Sequence, residues 1–509
     1  MNNSIVWTIA GSDCTGGAGI QADCKTLHNL GVQACTVITA VTAQNSSGVL
    51  EINSVSSEVL ASQLNALAQE LPAQVIKIGL LTNIQQVEQI ADMLAFYKGN
   101  WQQSPVVVYD PVAIASSGDH LTEEDILVAI KTKLLPLVDV LTPNNKEMQN
   151  LSGVYAFSWQ CLERAAQALL DLGVGSVVIK GGHIDIDTSC CVDYCTDGEH
   201  HYWLSSKRIS NTQDHGTGCT YASALSACLA QGYLLRDAVT IAKAYINQGL
   251  TRTQQYKGQY GAVWQGNWPT NAEYFPQVLV NNSNLANKLE WEGTSTDIGY
   301  YAEKFASIDE KKMGLYPVVD SVEWVERLLV AGVQTIQYRE KKLTGYSLEQ
   351  AIAQVVKLGK LHTAQVFIND HWELAIKCHA YGVHLGQEDI VKADLPKIKA
   401  AGLRLGLSTH GYYEFFQALE YQPSYIAIGA IFPTKTKDMT GQIQGITTLS
   451  RLVKMNEDIP IVAIGGINLE NASEVLATSV DSIAVVTAIT HAESPEDAIK
   501  NFQELIICH

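Results

Sequence analysis

The chain has 509 residues, in which 34 lysines and arginines face 52 aspartates and glutamates, so its formal net charge is −18. A surface this acidic repels phosphate backbones and excludes a general nucleic-acid-binding protein. Because 47% of the residues are apolar and 17% are charged, the composition is that of a globular protein, and the length predicts two domains.

The sequence shows neither a secretory signal nor a membrane span. Met1–Ser4 lacks the basic segment and apolar run of a signal peptide, and no apolar stretch approaches the roughly 20 residues that cross a bilayer. The 11 cysteines are an odd number spread thinly along the chain, which indicates reduced thiols rather than a disulfide framework. We therefore expect a cytoplasmic protein.

Residues 4 to about 265 alternate short β-branched runs with longer periodic stretches, which is typical of α/β units on a mostly parallel sheet. The predicted strands are Ile5–Ala10, Cys35–Val41, Val75–Leu80, Val106–Tyr109, Val138–Leu141 and Val177–Lys180. Two later runs, Cys191–Cys195 and His201–Leu204, flank Asp197-Gly198. This pattern predicts a hairpin at the edge of the sheet.

The sharpest local motif of this half is His215-Gly216-Thr217-Gly218-Cys219, which opens an apolar helical run. Glycines let the backbone approach a ligand closely, and free N–H groups at a helix start attract anions such as a phosphoryl group in transfer. At such a position the pKa of a thiol tends to fall, which favours Cys219 as a base or an anion-stabilising group. A glycine-rich helix entry with a buried cysteine is the alternative.

Acidic, amide and cationic side chains follow successive predicted strands, namely Asp110, then Asn144 and Glu147, then Lys180. Mg²⁺ and nucleotide phosphates need this mixture of groups. A glycine-rich loop within Gly11–Asp23 leads into a helix. It is not a Walker A loop, because no Gly-Lys-Ser/Thr follows.

Together these motifs resemble the hydroxymethylpyrimidine/phosphomethylpyrimidine kinases of thiamine biosynthesis, which belong to the ribokinase-like superfamily. The resemblance spans residues 4–268 and is carried by Gly16–Asp23, Thr42–Asn45, Lys77–Gly79, Asp110–Val112, Thr142–Asn144 with Glu147, Lys180–His183 and His215–Cys219. It implies a ribokinase-like α/β/α sandwich that phosphorylates hydroxymethylpyrimidine and its monophosphate with ATP.

The same resemblance implies roles for single residues. Gln44, with Gly11 and Asp23 nearby, would recognise the aminopyrimidine, because an amide both donates and accepts hydrogen bonds. Gly216, Gly218 and Cys219 would form the anion hole, with Cys219 where many relatives place an aspartate base. The cofactors would be bound by Asp110 and Glu147 near Mg²⁺ and by Asn144 and Lys180 around ATP. Cys14 and Leu81-Thr82 depart from the family pattern, which affects the shape of the pocket rather than the reaction type.

Between Asn267 and Lys312 the sequence becomes rich in asparagine and then in charged residues. We interpret residues 269–312 as a linker between a first domain of residues 1–268 and a second of residues 313–509. Some helix is expected near Ala302–Ala306.

From Gly314 onward, eight buried runs predict a (β/α)₈ TIM barrel, since each is separated from the next by enough chain for one helix. The runs are Leu315–Val319, Thr335–Arg339, Val366–Asp370, Gly382–Leu385, Leu405–Ser408, Tyr425–Gly429, Ile461–Gly465 and Ser482–Val486. In such a barrel the functional groups lie at the C-terminal ends of the strands.

Two cations, Arg339 and Lys341, follow the second of these strands, and the carboxylates of Asp370 and Asp389 follow the third and fourth. This convergence is typical of a Mg²⁺-diphosphate site.

Three further segments follow the last strands: Thr434–Lys437, Gly465-Gly466 and Thr487. They lie where barrels commonly bind a phosphate through backbone N–H groups. A diphosphate site beside a monophosphate site favours a two-substrate transfer over hydrolysis.

Residues 314–506 closely resemble the thiamine phosphate synthases through the runs Leu315–Asp320, Phe367–Asp370, Gly382–Asp389, Phe432–Lys437 and Ala463–Ile467. The resemblance implies that the pyrimidine diphosphate is bound by Gln337, Tyr338, Arg339, Glu340, Lys341, Asn369, Ser408 and Lys437. It implies Mg²⁺ binding by Asp370 and Asp389, and thiazole phosphate binding by Thr434, Lys435, Thr436, Gly466, Val486 and Thr487. Arg339, Lys341, Lys437 and Mg²⁺ would stabilise the departing diphosphate, while the thiazole nitrogen attacks a pyrimidine-stabilised cation.

The two resemblances predict a bifunctional enzyme in which the product of one domain is the substrate of the other. Two alternatives stay open: a first domain that acts mainly as a pyridoxal-type vitamin kinase, and a domain that binds a vitamin without turnover. Both families imply a homo-oligomer with small-molecule substrates and no nucleic-acid or membrane partner. Cys190, Cys191 and Cys195 lack the spacing of a structural zinc site, and His384 and His410 are interpreted as packing or supporting residues.

Overall fold

The computed structural model describes residues 4–45, 48–100, 104–112, 124–184, 189–209, 214–253, 261–280, 304–309, 313–434, 443–456 and 458–508. The chain divides into two compact units, Met1–Leu279 and Val280–His509. In the described residues, no helix is both long and apolar enough to cross a membrane.

The first unit is built on a ten-stranded sheet with the order β10-β9-β8-β7-β6-β5-β4-β1-β2-β3. The strands are β1 Ile5–Asp13, β2 Gln33–Asn45, β3 Gly48–Ser54, β4 Val75–Ile78, β5 Val106–Tyr109, β6 Val140–Leu141, β7 Ser176–Ile179, β8 Cys190–Thr196, β9 His201–Lys207 and β10 Gln277–Val278. Six neighbouring strands of the sheet pair in parallel, in the order β2, β1, β4, β5, β6 and β7. The remaining pairs are antiparallel. The central strands are buried, as expected for a parallel sheet covered on both faces.

The helices of this unit are α1 Gly19–Asn29, α2 Ser57–Glu70, α3 Ile84–Asn100, α4 Glu124–Ala129, α5 Asn145–Ser152, α6 Trp159–Leu170, α7 Thr217–Ala230 and α8 Leu235–Arg252. A π-helical turn at Ile130–Leu134 and 3₁₀ turns at Leu135–Leu137, Gly181–His183 and Ala272–Tyr274 complete it. The most buried helix is α7, whose residues Thr220–Cys228 are all buried. Its start is therefore held firmly against the middle of the sheet.

The second unit is a closed barrel of eight parallel strands in chain order. They are β11 Leu315–Val319, β12 Thr335–Tyr338, β13 Gln365–Asn369, β14 Gly382–Leu385, β15 Arg404–Thr409, β16 Tyr425–Ile428, β17 Ile461–Ile464 and β18 Ser482–Val485. Its helices are α9 Val322–Val330, α10 Gly345–Leu361, α11 Trp372–Lys377, α12 Gln387–Ile390, α13 Leu395–Ala400, α14 Tyr412–Glu420, α15 Gly445–Met455, α16 Ala472–Leu476, α17 Thr487–Thr490 and α18 Pro495–Ile507. The predicted TIM barrel is confirmed, with strand bounds within about one residue of those expected.

Residues 304–309, the floor segment, lie across the N-terminal end of the barrel. Phe305 N–H donates to the Gln422 carbonyl at 3.0 Å, and Ser424 Oγ donates to the Ala306 carbonyl at 2.6 Å. Ile308 packs into the apolar cluster formed by Tyr316, Phe367, Tyr425, Ala427, Val462 and Ala484. The floor segment therefore closes the core of the barrel from below.

Several expectations from sequence need correction. The predicted linker begins too early, because β10 pairs with β9 and extends the sheet of the first unit. It also ends too late, because the floor segment is part of the barrel. The helix expected near Ala302–Ala306 is wrong for residues 304–306, which are irregular, and residues 302–303 lie outside the described residues. The hairpin at Asp197-Gly198 is confirmed, but β10 lies beyond it.

Candidate active sites

The first candidate site lies where the direction of chain progression across the sheet reverses. From β1, the parallel sheet continues through β2 on one side and through β4 on the other. In open α/β sheets, ligands bind beyond the carboxyl ends of the strands at such a switch point. Asp13 ends β1, and Asp110 and Lys180 follow β5 and β7, so their side chains gather at this edge.

Asp13 holds the glycine-rich loop in place. Its Oδ2 accepts the N–H groups of Gly17 at 3.1 Å and Ala18 at 2.8 Å, and it lies 3.1 Å from His215 Nε2. Burial alone would raise the pKa of this carboxyl, but hydrogen bonds from His215, Gln44 and Thr15 hold it well below its usual range. Sequence reasoning gave Asp13 and His215 no role of their own.

Gly216 brings the start of α7 against this loop. Its φ is +80°, and a Cβ there would lie 1.8 Å from the Gly17 carbonyl oxygen, so only glycine fits. A Cβ at Gly218 would meet Asp110 Oδ2 at 3.3 Å and Lys180 Nζ at 3.5 Å. The first turn of α7 therefore faces an acid and a cation, as expected for a phosphate-transfer site.

Asp110 and Lys180 form the polar centre of this site. Lys180 Nζ lies 2.7 Å from Asp110 Oδ1 and 4.0 Å from Glu147 Oε2. Burial alone would lower the pKa of Lys180, but these two carboxylates raise it, so the ammonium stays charged. Asp110 is 1% exposed, and its Oδ2 has no hydrogen-bond partner among the described residues. A buried carboxylate oxygen in this state fits a cation, and Mg²⁺ is the one that nucleotide chemistry would bring.

Asn144 and Glu147 are brought together as a capping box at the start of α5. Asn144 N–H donates to Glu147 Oε2 at 2.7 Å, and Glu147 N–H donates to Asn144 Oδ1 at 3.0 Å. The box orients Glu147 towards Lys180. In this structure the Asn144 side chain is a helix cap.

Asp23 requires a correction as a substrate ligand. It is fully buried, and its two carboxylate oxygens accept hydrogen bonds from Thr8, Lys77 and Ser223 at 2.5, 2.8 and 2.6 Å. Burial alone would lower the pKa of Lys77, yet the neighbouring Asp23 raises it, so the ammonium stays charged. Asp23 therefore supports the sheet beneath the site. Gly11 is buried as well, which leaves Gln44 as the one predicted pyrimidine ligand that is partly exposed, and its side chain also hydrogen bonds to Asp13.

The Cys219 thiol also differs from expectation. Burial raises its pKa to about 12, and the nearby Lys77 ammonium does not offset that effect. The helix start was expected to lower this pKa. The nearby carboxylates of Asp23 and Asp110 raise it further, so Cys219 is a neutral thiol at pH 7.

The second candidate site lies at the C-terminal mouth of the barrel. Asp370 follows β13 with φ +62°, and Asp389 lies in α12 after β14. Burial and the neighbouring Asp389 carboxylate, to which it is hydrogen bonded, raise the pKa of Asp370, while Arg339 and Lys341 act in the opposite direction. The two predicted metal-binding carboxylates and the two predicted cations are therefore brought together.

The carboxylate pair has the chemistry that Mg²⁺ prefers, because two hard oxygen donors converge while substrate phosphates and water can supply the rest. In the described residues, no group of three or more His, Cys, Asp and Glu side chains forms a complete metal cage. Asp370 and Asp389 thus fit a metal that is shared with a substrate.

The residues predicted to bind substrate around this carboxylate pair differ in burial and in their hydrogen-bond partners. Gln337, Tyr338 and Asn369 are buried within the barrel, with Gln337 Nε2 donating to Tyr316 Oη at 3.5 Å. Glu340 Oε1 instead accepts the N–H groups of Lys342 and Leu343. We therefore correct Glu340 from a substrate ligand to a residue that fastens its own loop.

The residues predicted to bind a phosphate lie at strand ends on the far side of the mouth. Gly466 has φ +67°, and a Cβ there would lie 2.7 Å from the Pro433 carbonyl oxygen. Val486 is the N-cap of the short helix α17, which begins at Thr487, so free N–H groups lie there. Thr434 ends the described part of its loop, and Lys435, Thr436 and Lys437 lie outside the described residues.

Ser408, at the end of β15, has a partner that sequence reasoning set aside. His384 Nε2 lies 2.8 Å from Ser408 Oγ, and His384 Nδ1 lies 2.7 Å from Tyr425 Oη. Burial and the nearby Arg339 lower the pKa of His384 to about 3, so the ring is neutral. The predicted supporting role fits these contacts. The sequence of the buried run Gly382–Leu385 does not reveal that His384 contacts Ser408 and Tyr425, because these two residues lie on other strands.

Two family models match the chain, one on each unit. The model described as phosphomethylpyrimidine kinase matches residues 13–264, and the model described as thiamine monophosphate synthase matches residues 315–489.

Relatives repeat this division. A probable thiamine biosynthetic bifunctional enzyme, chloroplastic, from Oryza sativa subsp. japonica is 31% identical over 519 aligned residues, which cover 98% of this chain and 88% of the relative. The thiamine-phosphate synthase of Proteus mirabilis strain HI4320 is 54% identical over 197 residues, 39% of this chain and 92% of that protein. Among solved structures, the pyridoxal kinase of Staphylococcus aureus in complex with ADP is 29% identical, covering 55% of this chain and 98% of that one with a TM-score of 0.49.

Two units with separate sites, each matched by its own family model, agree with the full-length relative. The chain belongs to the bifunctional thiamine biosynthetic enzymes, in which a phosphomethylpyrimidine kinase unit precedes a thiamine-phosphate synthase unit.

Proposed function

We propose that the first unit uses ATP to phosphorylate hydroxymethylpyrimidine and then its monophosphate. We propose that the second unit joins the resulting diphosphate to thiazole phosphate, with thiamine phosphate and pyrophosphate as products. The observation that carries the kinase half is the buried, unpartnered Asp110 Oδ2 beside Lys180 and the start of α7. For the synthase half it is the convergence of Asp370 and Asp389 with Arg339 and Lys341.

In the kinase unit, Gln44 would hold the aminopyrimidine so that its hydroxymethyl oxygen faces the γ-phosphoryl group. The oxygen attacks phosphorus, the bond to the β-phosphate oxygen breaks, and ADP leaves. The N–H groups of Gly218 and Cys219 would receive the transferred charge. Because the Cys219 thiol is neutral at pH 7, it lines the anion hole without repelling phosphate, and the hydroxyl proton passes to a phosphoryl oxygen. Lys180 would pair with the phosphates of ATP.

Asp110, with Glu147 beside it, would hold Mg²⁺, which when bound neutralises the charge of the ATP phosphates. Lys180 stays charged between its two carboxylates, so its ammonium can pair with the ATP phosphates.

In the synthase unit, the bond between the pyrimidine methylene carbon and the diphosphate oxygen breaks, and pyrophosphate leaves with the bonding electrons. Arg339, Lys341 and Lys437 would stabilise the leaving charge, and Asp370 with Asp389 would hold Mg²⁺ against the same group. The thiazole nitrogen then forms the new bond to carbon. Thr434, Lys435, Thr436, Gly466, Val486 and Thr487 would hold the thiazole phosphate at the opposite side of the mouth.

The test is to incubate the full chain with hydroxymethylpyrimidine, thiazole phosphate, ATP and Mg²⁺, and to separate the products by chromatography. We expect thiamine phosphate and pyrophosphate. Accumulation of the pyrimidine diphosphate would contradict the synthase half, and the absence of any phosphorylated pyrimidine would contradict the kinase half. Omitting thiazole phosphate is the control, since phosphorylation should then stop at the diphosphate.

We also propose that the enzyme works in the cytoplasm as a homo-oligomer. All 11 cysteines are free thiols, which suits a reducing compartment. Cell fractionation and light scattering of the purified chain test the two statements separately.

A further inference from the structure

A continuous hydrogen-bonded chain crosses the interior of the barrel from β11 to β15. Tyr316 Oη lies 2.6 Å from Tyr425 Oη, which lies 2.7 Å from His384 Nδ1. The other ring nitrogen, His384 Nε2, lies 2.8 Å from Ser408 Oγ at the mouth. All four groups belong to different strands, so the closure of the barrel itself brings them together.

The contacts allow one continuous donor direction along this hydrogen-bonded series. In it, Gln337 Nε2 donates to Tyr316 Oη at 3.5 Å, the Tyr316 hydroxyl donates to Tyr425, and the Tyr425 hydroxyl donates to His384 Nδ1. A neutral imidazole that accepts at Nδ1 carries its proton on Nε2, and that proton is donated to Ser408 Oγ. The hydroxyl hydrogen of Ser408 then has no acceptor within this hydrogen-bonded series.

The surroundings leave these groups little freedom. The His384 and Tyr425 rings stack at an interplanar angle of 23°, and the Tyr316 and Tyr425 rings meet edge to face at 74°. The backbone of Ser408 is fixed as well, because its carbonyl accepts Gln387 Nε2 at 2.7 Å. The Ser408 side chain is the only member of the chain that is not fully enclosed, since the others are at most 5% exposed.

We infer that Tyr316 and Tyr425 are positioning residues that hold His384 as its Nε2–H tautomer, so that Ser408 turns its O–H outward as a hydrogen-bond donor to a ring nitrogen of the bound pyrimidine. This inference rests on the proposed synthase function. Ser408 would then discriminate between ring types, because a ring with C–H in place of this nitrogen leaves the Ser408 hydroxyl without an acceptor.

The first measurement concerns the tautomer and needs no turnover. The full chain is labelled with ¹⁵N-histidine, and the His384 signals are assigned by their loss in His384→Gln. We expect the wild-type shifts of an Nε2–H imidazole. An Nδ1–H imidazole would reverse the chain and overturn the inference, whether or not the synthase is active.

The second measurement uses Tyr425→Phe, which keeps the ring and removes only the hydroxyl. With supplied pyrimidine diphosphate, we expect synthase kcat to fall by about tenfold, the effect of one lost buried hydrogen bond, with KM for thiazole phosphate nearly unchanged. Because Tyr425 acts through Ser408, adding Tyr425→Phe to Ser408→Ala should cost little more than Ser408→Ala alone. Additive losses would indicate a purely structural role and contradict the inference.

Tyr381→Phe is the matched control. Its hydroxyl also donates a hydrogen bond inside the barrel, to Gln365 Oε1, but this bond lies at the N-terminal end and outside the chain. It should leave synthase kcat unchanged. If the wild type itself forms no thiamine phosphate, the proposed function fails, whereas a working wild type matched by Tyr425→Phe defeats this inference alone.

Discussion

The carboxylate of Asp13 joins parts of the kinase unit that lie far apart in the chain. It fixes the N–H groups of Gly17 and Ala18 and contacts His215, which is 202 positions away. A long-range contact of this kind leaves no local pattern. From the sequence alone, Asp13 is therefore one polar residue in a glycine-rich loop. Asp23 is predicted to bind the pyrimidine, because its motif does not reveal that the side chain is fully buried.

Asp13→Asn should weaken the kinase by disordering the glycine loop. The amide keeps one acceptor oxygen but loses the charge that holds His215 and the loop, so kcat/KM for pyrimidine phosphorylation should fall by about 10- to 100-fold. Steady-state phosphorylation assays measure the change. Asp197→Asn is the control, since Asp197 Oδ1 also accepts two backbone N–H groups but in the distant hairpin. Equal losses in the two variants would contradict the role of Asp13.

His384 should make barrel stability depend on pH. Its pKa is lowered to about 3 in the folded barrel, so between that value and the ordinary value near 6.5 the unfolded chain binds one more proton than the folded chain. Stability is therefore retained above pH 6.5 and lost as the pH falls below it. The expected loss between pH 7 and pH 5 is about 2 kcal/mol from this residue.

The measurement is hydrogen exchange of peptides that cover β14, in the wild type and in His384→Asn, at both pH values. The variant should lose stability less steeply than the wild type over this interval. Equal slopes would show that the ring is not buried in its neutral form.

At the scale of elements, the sequence predicts the barrel better than its surroundings. The barrel strands read as short apolar runs because both of their faces are buried, and each was located within about one residue. β3 and β10 were missed, since β3 is an antiparallel strand with exposed Leu50 and β10 has two residues. The floor segment was missed because Lys304–Asp309 has no regular structure and Phe305 and Ile308 are its only buried apolar side chains.

Ile308→Ala tests the floor segment. Ile308 is 8% exposed and packs against Tyr316 and Tyr425, so its truncation should lower the free energy of unfolding of the barrel by about 2–4 kcal/mol. Denaturant titration followed by hydrogen exchange in barrel peptides measures this loss. Ile507→Ala is the control at an 83% exposed position, where about 0.5 kcal/mol or less is expected. A negligible effect of Ile308→Ala would mean that the segment only rests on the barrel.

At the scale of the whole molecule, each unit contains its own candidate site. The kinase residues lie between Gly11 and Cys219, and the synthase residues lie between Gln337 and Thr487. Neither set borrows a described residue from the other unit. The two activities should therefore respond separately to substitution.

Cys219→Ala and Asp370→Ala test this independence. Cys219→Ala should lower pyrimidine phosphorylation by at least about tenfold by opening a cavity in the anion hole, while synthase activity with supplied diphosphate stays unchanged. Asp370→Ala should abolish the synthase by leaving one metal-binding carboxylate, while phosphorylation continues. Each variant is the control for the other. Loss of both activities in either variant would contradict independence of the units.

The floor segment also decides where this gene can be divided. A shortened gene that starts at the first barrel strand would encode a synthase with an open base, because Phe305 and Ile308 would be missing. A reading frame that starts before residue 304 keeps them. On the other side, a kinase gene that stops before residue 277 loses its last strand. A division that keeps both β10 and the floor segment therefore falls after codon 280 and before codon 304, and we expect libraries of genes split there to yield functional pairs.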